Sequence, residues 1–160
     1  MRRVAIGVLS AVVALALQAA PASADDAQLW ATYTADNPEI NRVGPQWDRA
    51  LKRFERNPRK HYRAVVRMSN RLAELSDGVA AQFEPVQPSS STGTKVKQLV
   101  LLELRELHRG YRLTAVAAKG VAQGRRSALS QAKRADQAFA RAGRYDRRAL
   151  RGFKALGFSR

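Results

Sequence analysis

Cysteine is absent from all 160 residues. That absence removes disulfides, thiolate metal sites, cysteine nucleophiles and a lipid-modified cysteine anchor together. Histidine is nearly absent too: His61 and His108 are the only imidazoles available for acid–base work or metal ligation. Aromatic residues make up 7% of the chain, and none interleaves with its basic rows, which argues against recognition by base stacking. Carboxylates are scarce beside the bases, with 13 Asp+Glu against 29 Lys+Arg and a formal charge of +16. The 45% of hydrophobic residues nevertheless sets the chain apart from a disordered polycation. At this length one folded domain is expected.

Only one long apolar run exists, at the N-terminus. Arg2 and Arg3 precede an apolar stretch over 4–20, and Ala22, Ser23 and Ala24 supply the small-x-small pattern that signal peptidase requires. Residues 1–24 are therefore predicted to be a cleavable signal peptide, since the run is short for a hydrocarbon core of ~30 Å. The expected location is outside a bacterial cell, secreted or associated with the envelope, with no membrane span after cleavage. Without Arg2 and Arg3 the mature chain holds 27 bases against 13 acids, a net +14. Twenty of those bases are Arg, which with abundant Ala suggests a GC-rich genome.

Nearly all of the mature sequence reads as helix, and no segment alternates with the period of a strand. Residues 25–44 read as an irregular acidic segment, with a helical turn or two near 27–34. Pro45 after Gly44 suits a helix start, and Trp47, Leu51 and Phe54 then share a face. Asn57 and Pro58 repeat that cap-plus-proline pattern and open a helix over 58–83 with apolar residues spaced by threes and fours. Two Pro, three Ser and a Gly make 84–94 a loop. From 95 to 142 only Gly110, Gly120 and Gly124 interrupt the pattern, so the segment reads as one helix of about 72 Å if unbroken, or as one that bends near Gly120–Gly124. Gly143 then reads as a C-terminal cap before a last short helix over 145–156. The predicted fold is all-α: an antiparallel bundle over 45–160, built on a long helical hairpin (58–83 and 95–142) with short flanking helices.

The basic residues fall into three rows. Lys60, Arg63, Arg67 and Arg71 occupy an arc of about 80° on the 58–83 helix. Arg105, Arg112, Lys119, Arg126 and Lys133 recur every seven residues, which places them along one side of a single helix. Arg144, Arg147, Arg148 and Arg151 share a side of the last helix, opposite Tyr145, Ala149 and Phe153. Behind the heptad row runs a coiled-coil-like seam whose C-terminal half is Gly and Ala. Such a seam invites close approach by another helix, of this chain or of a partner.

Arginine forks suit phosphate oxygens, so the three rows are candidate anion-binding residues. Outside a bacterium the matching partners are teichoic-acid-like polymers, lipid head groups and extracellular DNA. The plain alternative is that the rows are solvated outward faces of good helix formers. Sequence-specific nucleic-acid binding lacks any helix-turn-helix, zinc-finger or ribonucleoprotein motif. Catalytic spacings such as G-x-S-x-G, H-E-x-x-H or a P-loop do not occur either. Glu103 and Glu106 lie one turn apart near His108, but they read as exposed partners of neighbouring Arg. No catalytic, metal-binding or cofactor-binding residue is therefore expected.

Pro85 and Pro88 precede a helix bearing Leu104, Leu107, His108 and Gly110, followed by Ala-rich turns through Gly124 and an ending at Leu156 and Gly157. In this the chain resembles, over roughly 45–157, the small secreted or lipid-anchored helical proteins common in actinomycetes. The resemblance implies an exported all-helical protein and no catalytic residues. It departs in one respect, since many such proteins carry an anchoring Cys. The expectation is a non-enzymatic protein that associates electrostatically with anionic envelope polymers or surfaces. A secreted helical protein that binds a partner, or itself, through the Gly/Ala seam is the alternative.

Overall fold

The computed structural model describes residues 24–159. The predicted signal peptide lies outside the described residues except for its last position. Five helices follow one another: α1 (Ala24–Thr34), α2 (Pro38–Arg56), α3 (Pro58–Phe83), α4 (Ser91–Ala122) and α5 (Ser127–Ala155). Among the described residues there is no strand, and the helices pack as an all-α antiparallel bundle. α3 and α5 flank α4, while α2 lies along α3.

Local signals account for the helix starts. Asn37 caps α2 by accepting from the Glu39 and Ile40 amides at 3.2 and 3.1 Å, with Pro38 in the first turn. Asn57 serves two helices at once. Its amide donates to the Arg53 carbonyl at 3.1 Å, while its side chain accepts from the Lys60 amide at 3.2 Å. Ser90 caps α4 through the Gly93 amide at 2.8 Å. Lys97 straps the preceding loop by donating Nζ to the Glu84 and Val86 carbonyls at 2.7 and 2.6 Å.

Several expectations are corrected. The segment 25–44 is helical over all of α1 and the first turns of α2, and it builds core: Trp30 packs 5.0 Å from Phe153 and 5.8 Å from Phe158. Its start signal was Asn37 with Pro38, so Pro45 lies inside α2 rather than opening it. The loop ends at Ser90, not 94, because the Ser90 hydroxyl is the cap. The segment 95–142 is not one unbroken helix: it breaks near Gly120–Gly124 into two helices folded back on each other.

That reversal is a Schellman motif centred on Gly124, whose φ is +68°. The Arg125 amide donates to the Gly120 carbonyl at 2.9 Å and the Gly124 amide to that of Val121 at 3.0 Å. Gly143 caps nothing and sits within α5, which continues to Ala155. The stop comes at Gly157, with φ +89° and the same pair of bonds to Phe153 and Lys154.

The hairpin also explains the Gly/Ala seam: its two halves face each other. A methyl group at Gly110 would lie 2.6 Å from the Phe139 ring, and one at Gly120 would lie 2.9 Å from Ala128 Cβ. Val96 likewise abuts Gly152. The seam of α4 is thus covered by α5 of the same chain. The core is bulky at one end, around Leu29, Phe83, Val100 and Phe153. At the other end it is thin, around Ala50, Val65 and Ala118. Between them Trp47 meets Tyr111 and Phe139 edge-on at 5.5 and 6.1 Å. Trp47 also donates Nε1–H to the buried Ser69 hydroxyl at 2.8 Å.

Candidate anion-binding surface

All thirteen sequence-predicted residues are exposed: twelve lie on the side of a helix turned away from the core, and Arg126 lies in the bend between α4 and α5. They do not form the three continuous rows that the spacing suggested. Arg105, Arg112 and Lys119 remain aligned on α4, but the chain reverses after them. Arg126 therefore sits in the bend and Lys133 on α5, so the heptad row is broken by the fold. Arg144, Arg147, Arg148 and Arg151 stay together on the outer face of α5, while Ala149 and Phe153 beneath them are fully buried.

What the fold brings together instead is the α3 row and the end of α4. Arg63, Arg67 and Arg71 from α3 and Lys119 from α4 line one groove of about 590 Å³. Arg112 reaches its edge, donating Nη1 to Asn70 Oδ1 at 3.1 Å. Tyr62 lines the groove too. Its hydroxyl accepts from Arg63 Nε at 3.4 Å, with the guanidinium 5.9 Å from the ring centre. That hydrogen bond raises the Arg63 pKa, keeping the group fully charged.

Arg71 differs from its row. It donates to Glu39 at 2.6 Å and to Glu74 at 3.0 Å, and these hydrogen bonds raise its pKa. Two carboxylates thus compensate Arg71, which closes one end of the groove as a structural ion pair. Lys60, Arg67, Arg105, Lys119, Arg126 and Lys133 take part in none of the ion pairs among the described residues, nor do Arg144, Arg147, Arg148 and Arg151 of α5. Their cationic groups are open to an external anion.

The imidazole of α4 and its Glu106 are engaged within the fold. His108 Nδ1 lies 2.9 Å from Asp77 Oδ1. Glu106 pairs with Arg141 at 2.9 Å and with Arg109 at 3.9 Å, and its hydrogen bond raises the Arg141 pKa. Among the described residues no group of three or more His, Asp or Glu could hold a metal ion.

Antiparallel packing also sorts charge along the bundle. At mid-height Trp47 meets Tyr111, and Arg112 bonds Asn70. Residues 47–70 and 112–137 lie on the side of the α4–α5 bend, and they hold fourteen bases against three acids, a net +11. The remaining described residues hold twelve bases against ten acids, a net +2. A cavity of about 850 Å³ opens in that second half between Tyr33, Asp36, Glu39, Glu103 and Asp146, and no Lys or Arg lines it. One end of the molecule is a cationic pole and the other is close to neutral. Composition pointed to cations but missed two groove residues, Tyr62 and Asn70, which carry no charge and stand out only once α3 and α4 are packed. It also missed Arg125, whose place in the bend depends on the reversal.

No described helix is long and apolar enough to cross a membrane. No protein-family model, curated protein or solved structure matches the chain.

Proposed function

We propose that this is an exported, non-enzymatic helical protein that associates electrostatically with anionic polymers or surfaces of the bacterial cell envelope. The observation that carries this reading is the groove in which Arg63, Arg67 and Lys119 converge from two helices. Neither Arg67 nor Lys119 has a carboxylate partner there, and the groove lies in the half of the bundle with a net +11. Guanidinium groups held on packed helices pair with phosphate oxygens at little further cost in side-chain order. The Arg face of α5 adds a second, separate contact region.

Counterion release gives this association its signature. Retention of the mature chain, residues 25–160, on immobilised polyphosphate falls steeply and linearly in log–log form as salt rises. Retention that does not change between low and physiological salt would overturn the reading. Because most of the cations are arginines, binding should hold steady from about pH 6 to pH 9. Fractionating the producing cells into wall, membrane and medium tests the expected location.

A further inference from the structure

We infer that the α4–α5 bend end of the bundle docks peripherally on an anionic lipid bilayer, with Leu129 and Val121 entering the interfacial layer between lipid-bound cations. The inference rests on the electrostatic reading above and narrows its partner from any anion to a lipid surface.

Two independent observations meet at this end. The first is charge: the half-bundle that includes the bend holds the net +11, and Lys119, Arg125, Arg126 and Lys133 surround the bend itself. The second is apolar exposure. Among the described residues the large hydrophobic side chains left exposed are Val116, Val121 and Leu129, at 56, 37 and 76%. All three lie within two turns of the bend, on the last turns of α4 and the first turn of α5. Elsewhere among the described residues large apolar groups are buried or half-buried. The opposite end in particular is closed by Trp30 against Phe153 and Phe158.

A dissolved phosphate polymer would engage the cations but would leave the three aliphatic groups in water. A bilayer satisfies both kinds of group. Arg and Lys reach the phosphates with their stems lying over apolar surface, while Leu and Val enter the boundary below the head groups. A protein partner would call for a contiguous apolar groove, whereas the depression at the bend is lined by Lys119, Gln123, Arg125 and Gln131 beside Val116, so the aliphatic groups are interspersed with cations. The Schellman turn fixes this presentation, since Gly124 and Arg125 are hydrogen-bonded back to Val121 and Gly120. Neither charge nor a few aliphatic groups alone holds a protein on a membrane, and the combination is the usual pair of signals.

The test uses the mature chain with vesicles of phosphatidylcholine alone or mixed with phosphatidylglycerol, beside immobilised polyphosphate. Wild type should sediment with the mixed vesicles and not with pure phosphatidylcholine. The Val121→Ser, Leu129→Ser double variant removes only exposed groups, so its circular dichroism should match wild type. It should lose roughly tenfold in partition to the mixed vesicles while keeping its polyphosphate retention. As an independent probe, the emission of a Leu129→Trp variant should shift to the blue on mixed vesicles. Equal vesicle binding by wild type and the double variant, or no emission shift, overturns the inference. Retention on polyphosphate without vesicle binding overturns the inference and leaves the electrostatic reading standing. Binding to neither overturns both.

Discussion

At the scale of single residues, glycines divide by what surrounds them rather than by where they fall in sequence. Gly152 lies against the buried, β-branched Val96, which has no room to retreat. Gly152→Ala should therefore destabilise the protein by about 1–3 kcal/mol in urea denaturation, as over-packed cores do. Gly78 is also helical but has open space where a methyl group would go. Gly78→Ala should instead stabilise by about 0.5–1 kcal/mol, through the smaller entropy of its unfolded chain. Opposite shifts of the urea midpoint for two identical substitutions would separate packing from propensity. Trp47 and Ser69 form the other informative pair, because the Ser69 hydroxyl is fully buried and its bond to Trp47 Nε1 crosses between α2 and α3. Trp47→Phe removes the donor and should cost about 1–3 kcal/mol, part of which reflects the hydroxyl left alone. Adding Ser69→Ala to that variant should cost less than Ser69→Ala alone, and a double-mutant cycle measures the difference.

At the scale of elements, the starts of the helices were easier to read than their ends. Asn57 with Pro58 marked α3 correctly, because an N-cap and a proline in the first turn act locally, through two or three adjacent amides. The stops were ambiguous because Gly110, Gly120, Gly124 and Gly143 look alike in a list of residues. Gly110 and Gly120 are small so that α5 can approach, Gly124 takes the left-handed conformation, and Gly143 does neither. Pro45 misled in the same way, since α2 was already capped from Asn37 and carries the proline within it. The bend predicts its own test. At φ +68°, Gly124→Ala should cost about 1–2 kcal/mol of stability, whereas Gly143→Ala should not destabilise. Comparable losses at both positions would contradict the assignment of the reversal to Gly124.

At the scale of the whole molecule, what matters is which end of the bundle each charge occupies. Arg63→Ser with Lys119→Ser removes two cations from one groove, while Lys95→Ser with Lys154→Ser removes two from the other half. Both pairs change net charge equally. The first should weaken polyphosphate retention and lower its log–log salt slope by about 1–2, and the second should leave the slope nearly unchanged. Equal effects would mean that binding follows total charge and no particular surface. The sequence by itself determined the helical class, the first turn of α3, the outward position of the thirteen row residues and the amphipathic end of α5, because each follows from local spacing and capping. Tertiary structure alone decided that a seven-residue row is cut by a reversal and that Arg71 is compensated by Glu39, 32 positions away in the chain. It also decided that 47–70 and 112–137 share one pole. The physical reason is that charge accumulates by proximity in space. Where the chain folds back on itself is settled by which glycines and alanines let two helices touch, a property of the pair that neither segment displays alone.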